Sequence, residues 1–392
     1  MENGFISNYM QRAVELAKAG MGFVNPNPLV GAVIVKDTKI IGEGFHACYG
    51  QLHAERSAIA DAKRRAANAG QNPQTVCRGA DIYVTLEPCC HTGKQPPCTQ
   101  ALIDEGFARV FIGSSDPNPL VSGKGVAILE KAGIKVVQGC LKSECDALNP
   151  VFFHYIKTKT PYITLKYAMS ADGLTACYTG KSRWVSGEES RLLVHKERAV
   201  NMAVMTGIET VLSDNPLLTS RLPEQETKKV RQPVRIVCDS TLRIPLESNL
   251  VQTAGSSPVW VACALSDEEI AASSKAHTLQ NSGVTLLSAK SAENPRVDLR
   301  KLAQLLGEHG IDSVLLESGG RLNYSALQAG IIQKIQVFIA PKIFGSLEDV
   351  HNPVRGTGSE NPDDAYRLSK PAVTAAGSDI LLEYEVKTCL PE

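Results

Sequence analysis

Two short patterns, well separated in the chain, constrain it more than any other feature. His53-Ala54-Glu55 opens a helical stretch. Thr85-Leu86-Glu87-Pro88-Cys89 then runs from a strand into a loop, and Pro96-Pro97-Cys98 follows. One imidazole and two thiolates suit zinc, and a catalytic zinc keeps three protein ligands with a fourth position open for water. Bound zinc lowers the pKa of that water. A carboxylate outside the ligand set must then carry the proton to the leaving group. Glu55, two residues after His53, is placed for that task. The expected ligands are His53, Cys89 and Cys98, with Glu55 as the catalytic residue. A fold that serves this pattern has to bring a helix start and a strand end together.

Zinc nucleobase deaminases carry H-x-E followed by P-C-x-x-C. Here eight residues separate the two cysteines rather than two. His53 could instead be an ordinary residue at a helix start, with the cysteines as buried thiols. The joint pattern weighs against that. Cys90 is an alternative ligand, but consecutive residues rarely both reach one metal, so Cys89 is preferred. A structural zinc would need four protein ligands, and only three stand beside a well-placed Glu.

The 392 residues exceed one ordinary core, since domains cluster near roughly 100–200 residues. Two domains are expected, 1–147 and 148–392. Lys plus Arg and Asp plus Glu number 41 each, and the zero net charge argues against a protein that coats nucleic acid. No stretch approaches the roughly 18–20 apolar residues of a membrane span. Met1–Ser7 lacks the basic and apolar regions of a signal peptide. A cytoplasmic protein is therefore expected, in which most of the eleven cysteines are small buried hydrophobes rather than a disulfide framework.

Alternating periodicities suggest a layered α/β domain at the N-terminus. Helices are expected at 7–20, 53–70, 96–106 and 126–132. Strands are expected at 29–35, 40–45, 82–86, 110–113 and 135–138. Residues 140–160, with Asn149-Pro150 and Thr160-Pro161, read as a connector with a polar helical patch. A second α/β pattern follows, with strands at 162–167, 202–206, 234–239, 259–264, 284–287, 313–317 and 334–339. Its helices are expected at 187–200, 297–309 and 322–329. Glu224–Arg231 reads as a charged, solvated loop.

The long metal loop, Glu87-Pro88-Cys89-Cys90-His91-Thr92-Gly93-Lys94-Gln95-Pro96-Pro97-Cys98, resembles the deaminase domain of the RibD family, the bifunctional deaminase–reductases of riboflavin biosynthesis. Asn25-Pro26-Asn27-Pro28-Leu29-Val30-Gly31 and Asp116-Pro117-Asn118-Pro119 resemble it too. The family usually has Ser at Cys90 and Thr at Gln95, and neither change touches a proposed ligand. The resemblance implies an α/β chain, with a cytidine-deaminase-like three-layer domain followed by a dihydrofolate-reductase-like α/β domain. It implies zinc-dependent deamination of a 2,5-diaminopyrimidinone carrying a ribosylamino 5-phosphate. By resemblance Asn27, His46, Asp116 and Asn118 contact this substrate and Lys94 faces its phosphate. Lys94 lies between the two metal cysteines, so it must be near the site, and a Lys is a reasonable point-charge partner for phosphate.

In the second half, Ser313–Glu317 reads as a strand that enters a helix through Ser318-Gly319-Gly320. Glycines at such a turn let a phosphate approach the backbone N–H groups. No G-x-G-x-x-G fingerprint is present. Leu165–Gly173, Ser182-Arg183-Trp184 and Gly207–Pro216 resemble the family's reductase. That resemblance implies an NADPH site at Ala168, Trp184, Thr210, Asp214, Ser240 and Gly319, Gly320, Arg321, Leu322, Asn323, Tyr324 and Ser325. It places the substrate on Ser182, Arg198, Leu218, Arg221 and Glu317. The two arginines suit phosphate, whose oxygens match their forks. Asp214 is the nearest candidate proton donor. The implied partners are small phosphorylated pyrimidines, with no nucleic acid and no membrane, and the implied assembly is a homo-oligomer. A nucleobase or tRNA deaminase with an accessory domain is the main alternative, disfavoured by the charge balance and the cysteine spacing.

Overall fold

The computed structural model describes residues 2–92, 94–118, 121–223, 231–346 and 351–387. Gly93 and Pro119 of the motifs above, and most of the charged loop at 224–231, lie outside them. The chain divides into two compact units, Met1–Thr158 and Lys159–Glu392.

The first unit is built as α1 (Glu2–Ala17), β1 (Gly31–Lys36), β2 (Lys39–Phe45), α2 (Ala54–Asn68), β3 (Asp81–Leu86), α3 (Cys98–Glu105), β4 (Arg109–Ser114), α4 (Lys124–Lys131), β5 (Lys135–Gln138), α5 (Lys142–Asp146) and α6 (Pro150–Thr158). Its sheet runs β2-β1-β3-β4-β5, antiparallel on both sides of β1 and parallel from β3 onward. Alternation along β1 splits the core. Ala32 and Ile34 pack with Ala54, Ala58 and Ala62 of α2, Leu102 of α3 and Leu129 of α4. Val33 and Val35 pack with Met10, Ala13 and Val14 of α1 and Cys145 of α5. Helices on both faces make the three layers expected. The buried face of α1 is Met10, Ala13, Val14 and Ala17, with Tyr9 and Leu16 packing at its edge.

Helix α2 sits unusually close to β2. A Cβ on Gly42 would lie 2.5 Å from the Ala58 carbonyl oxygen, and one on Gly44 would lie 2.2 Å from the Ala58 nitrogen. Only glycine on the strand and alanine on the helix permit that approach.

The helical patch expected between Asn149-Pro150 and Thr160-Pro161 is α6, and it is apolar at Val151, Phe152, Phe153 and Ile156 rather than polar. Pro150 occupies its first turn, where a missing N–H costs nothing. The expected boundary after 147 therefore falls before a helix that the first unit keeps.

The second unit contributes β6 (Tyr162–Ser170), β7 (Ala203–Gly207), β8 (Val234–Cys238), β9 (Val259–Cys263), β10 (Val284–Ser288), β11 (Ser313–Leu316), β12 (Lys334–Ala340), β13 (Arg367–Leu368), β14 (Ala372–Ala376) and β15 (Asp379–Lys387). They form one sheet in the order β10-β9-β8-β7-β11-β6-β12-β15-β13, with β14 on β15. The first seven strands are parallel neighbours, and β12 pairs with β15 antiparallel. The sequence reading had no strands for the C-terminal meander. Its outer strand β14 is short and largely exposed, without the burial alternation that marks a half-buried strand.

Gly44→Ala is expected to lower the stability of the first unit by about 1–3 kcal/mol, the usual range for forcing atoms into a packed contact. Urea unfolding followed by circular dichroism reads this directly, and an unmoved midpoint would contradict the packing described.

Candidate functional site

Three elements converge on the expected metal ligands. His53 is the extended residue that caps α2, Cys89 follows the end of β3, and Cys98 begins α3. Cys89 Sγ lies 3.5 Å and Cys98 Sγ 3.4 Å from His53 Nδ1. The three ligand atoms all lie within 4.8 Å of one another. Tetrahedral zinc with Zn–N near 2.05 Å and Zn–S near 2.3 Å would set nitrogen and sulfur about 3.6 Å apart. The donor set and its spacing fit that ion.

Local structure favours thiolate here. The Cys98 backbone N–H donates to Cys89 Sγ across 3.4 Å, and both cysteines sit at or against the N-terminus of α3, where negative charge is stabilised. The hydrogen bond from Cys98, helped by His53, pulls the Cys89 thiol down to about 4 against the effect of burial. Contact with that thiolate and burial push Cys98 up. His53 is raised, first by its hydrogen bond to Cys89. Glu55 is 3% exposed in the first turn of α2. Burial, then the Cys89 charge, raises its carboxyl above the ordinary range, which suits a group that both takes and gives a proton near neutrality.

A cavity of about 420 Å³ opens beside these residues and is lined by His53, Glu55 and Cys89. All five expected substrate contacts, Asn27, His46, Lys94, Asp116 and Asn118, line it as well. His46 Nδ1 is 3.0 Å from the Leu52 carbonyl, so that nitrogen carries the proton. Its Nε2 then accepts from Asn27 Nδ2 at 3.1 Å. Burial lowers its pKa, keeping the ring neutral. Asp116 is pushed up to about 6, chiefly by burial, and accepts the Asn118 N–H at 2.8 Å. Lys94 is exposed, with Nζ 4.0 Å from the Tyr49 ring centroid. Tyr49, His91 and three residues of α6 also line the cavity. His91 lies in the metal-loop motif, and the others carried no sequence signal beyond residue type.

The second unit has its own cavity, of about 470 Å³. It is bounded by the end of β7, by β8, and by the helix Gly320–Gln328 that follows β11. Of the expected cofactor residues, Thr210, Ser240, Gly319, Gly320, Arg321, Leu322 and Ser325 line it. A Cβ on Gly320 would lie 2.4 Å from the Asn352 carbonyl oxygen, so that glycine is required by packing. Ala168, Trp184, Asp214, Asn323 and Tyr324 do not line this cavity. Asn323 is buried and spent internally, accepting from Ser318 Oγ at 2.6 Å and donating to the Pro353 carbonyl at 2.7 Å. Tyr324 hydrogen-bonds Thr357 at 2.6 Å beside an adjoining cavity. Trp184 is 63% exposed with Arg191 over its ring. Ala168 packs near Val194 and Phe338. Asp214 ends the helix Ile208–Asp214 and accepts from Ser213 Oγ at 3.0 Å.

The expected substrate residues of this unit gather around a buried ion pair. Arg198 donates to both Glu317 oxygens, at 2.6 and 3.0 Å, and to the Thr219 carbonyl at 3.1 Å. Expected as two separate contacts, they form one fork. Lys166 of β6, unassigned in the sequence reading, reaches Glu317 at 3.8 Å. It is the lone charge in an apolar strand, which was the available signal. Burial alone would raise the Glu317 carboxyl, but Arg198 and Lys166 hold it below the ordinary value. Burial lowers Lys166. Arg221 donates its N–H to His195 Nδ1 at 3.2 Å and one guanidinium N–H to Thr219 Oγ1 at 3.1 Å. Leu218 is 3% exposed and packs in the core with Val204 and Val237. Ser182 is half-buried.

Comparisons with known proteins bear on both units. Residues 4–114 match the cytidine and deoxycytidylate deaminase zinc-binding region, and residues 161–382 match the RibD C-terminal domain. The RibD riboflavin-biosynthesis protein of Actinobacillus pleuropneumoniae is 48% identical over 97% of this chain and 95% of its own length. This chain belongs to the RibD family. The Escherichia coli RibD is 38% identical over 95% of this chain and 97% of its own. The solved Acinetobacter baumannii RibD, form 1, is 35% identical with a TM-score of 0.84, covering 98% of this chain and 100% of that one. A Thermotoga maritima structure described as a diaminohydroxyphosphoribosylaminopyrimidine deaminase and 5-amino-6-(5-phosphoribosylamino)uracil reductase is 35% identical with a TM-score of 0.81, covering 99% and 100%. Like these RibD proteins, this chain is a bifunctional deaminase–reductase of riboflavin biosynthesis, working with zinc and NADPH.

Cys98→Ala should empty the metal site, read as loss of stoichiometric zinc by atomic emission, while the reductase rate persists. A second expectation concerns pH. Burial, then Arg198 and Arg221, lowers His195 to about 4 from an ordinary 6.5. The unfolded chain binds that proton first, so stability is lost as pH falls from about 6.5 towards about 4. His195→Asn, which cannot titrate, should show a flatter stability profile across that window; an equally steep one would remove His195 as the cause.

Proposed function

We propose that the first unit deaminates 2,5-diamino-6-(5-phosphoribosylamino)pyrimidin-4(3H)-one. The second would then reduce the ribosyl group of the resulting 5-amino-6-(5-phosphoribosylamino)uracil to the ribityl form. The observation that carries this reading is one cavity lined by His53 and Cys89 of the His53–Cys89–Cys98 cluster, by the buried non-ligand Glu55 and by Lys94 of the metal loop.

His53, Cys89 and Cys98 hold the zinc, whose Lewis acidity makes a water deprotonable near neutral pH. Glu55 takes the proton of the attacking water and hands it to the amino group that leaves as ammonia. Neutral His46 and its partner Asn27 present hydrogen-bonding edges to the pyrimidine, as do Asp116 and Asn118. Lys94 faces the phosphate as a mobile point charge.

In the second unit the glycine turn at Gly319-Gly320 and the helix after it receive the cofactor phosphates, with Thr210, Ser240, Arg321, Leu322 and Ser325 around them. NADPH supplies the hydride. Arg221, which forms no ion pair among the described residues, takes the substrate phosphate, while Arg198 holds Glu317 in place. Reduction of a ring-opened imine at C1 also requires a proton on nitrogen. The buried Lys166–Glu317 pair is the better source than Asp214, because burial lowers the cost of releasing a proton from Lys166. Ala168, Trp184, Asp214, Asn323 and Tyr324 then act from the periphery of the cofactor site, and Ser182 and Leu218 from that of the substrate site.

The enzyme would work in the cytoplasm as a homo-oligomer on small molecules, without nucleic acid or membrane. No described helix is long and apolar enough to cross a membrane, and the net charge of zero disfavours a nucleic-acid partner.

The deciding assay supplies the diaminopyrimidine phosphate to the purified protein and follows ammonia release and NADPH oxidation separately. Glu55→Gln should cut ammonia release by about 10²–10⁴-fold with zinc retained and the reductase active on supplied deaminated substrate. Ammonia release at the wild-type rate would remove Glu55 from the mechanism.

A further inference from the structure

The deaminase cavity has a wall that the zinc pattern does not account for. Phe152, Tyr155 and Ile156 of α6 line it. They stand three and four residues apart, so they share one helix face. Phe152 is buried, and Tyr155 and Ile156 are half-buried. The deaminase zinc-binding match ends at residue 114, so this wall is an addition beyond that region.

A single buried amide fixes where the wall stands. Asn149 is 3% exposed. Its Oδ1 accepts the Leu29 N–H at 2.7 Å and its Nδ2 donates to the Leu29 carbonyl at 2.9 Å. Its own carbonyl accepts the Phe153 N–H at 2.9 Å, starting the helix. Leu29 lies two residues after Asn27, which lines the same cavity. The start of α6 and the segment presenting Asn27 are thus pinned together by both halves of one side chain.

The rest of the cavity is rich in polar and charged groups: Glu55, His46, Lys94, Asp116 and Asn118. These can read the edges and the phosphate of a pyrimidine nucleotide. The faces of its heterocycle are apolar and need a surface of their own. We propose that Phe152, Tyr155 and Ile156 form the substrate-contacting wall for the body of the phosphorylated pyrimidine, and that Asn149 is the positioning residue holding that wall in register with Asn27. This rests on the deaminase reading given above.

Full-length variants test it in steady-state ammonia release from the diaminopyrimidine phosphate. Tyr155→Ala and Ile156→Ala should each raise KM about tenfold, the scale of a lost contact to one base, with kcat changed by less than about threefold. Zinc content and reductase rate on supplied deaminated substrate should stay at wild-type values. Asn149→Ala should raise KM similarly, and Asn149→Asp, which keeps the acceptor for Leu29, should recover part of it. If Tyr155→Ala fails to fold, Ile156→Ala decides. Unchanged KM in folded variants overturns the wall. A wild-type protein that binds zinc yet releases no ammonia overturns the deaminase reading itself, and the substrate assigned to the wall with it.

Discussion

The backbone-to-backbone contact between α2 and β2 underlies the first unit. Gly42 and Gly44 leave no side chain between strand and helix, and Ala54, Ala58 and Ala62 answer them from the other side. Because the helix cannot slide outward, its first turn is held at a fixed height over the sheet. That turn carries His53 and Glu55. Cys89 and Cys98 arrive on β3 and α3, which share the same core face. Metal geometry is therefore a consequence of small residues packed at close range, well before any ion contributes.

Electrostatics at the two sites follow opposite routes. Around the zinc ligands, hydrogen bonds from Cys98 and His53 favour negative charge on the Cys89 sulfur, while burial raises the Glu55 carboxyl above its ordinary range. In the second unit, burial is compensated by pairing: Glu317 stays ionised because Arg198 and Lys166 flank it. Removing one member of such a buried set leaves a charge unpaired, which costs far more than the pair contributes. The cluster is accordingly a rigid floor rather than a set of independent contacts.

Much of this was legible beforehand because its signals are local. Ligand type and spacing identified the zinc residues, and periodicity placed most strands and helices. The motif segments brought the five expected substrate residues to one cavity. What failed were inferences about neighbours. Leu218 sits in a core and Asn323 spends its amide on loop carbonyls. Arg198 gives its fork to Glu317 rather than standing ready alone. The helical patch expected between two prolines is α6, but nothing local showed that it would wall a cavity. The short, exposed strand β14 is set by its pairing with β15 rather than by a pattern of its own.

By itself the sequence determined which chemistry was available: one imidazole, two thiols and a carboxylate at fixed offsets, and a glycine turn before a helix. Those are properties of covalent spacing and of the first turn of secondary structure. Only the tertiary structure decided which polar groups face a cavity and which satisfy each other. Asn149 and Leu29, Arg198 and Glu317, and Lys166 and Glu317 are each joined across more than a hundred residues. Hydrogen bonds and ion pairs form by proximity in space, and no local pattern encodes a partner that distant.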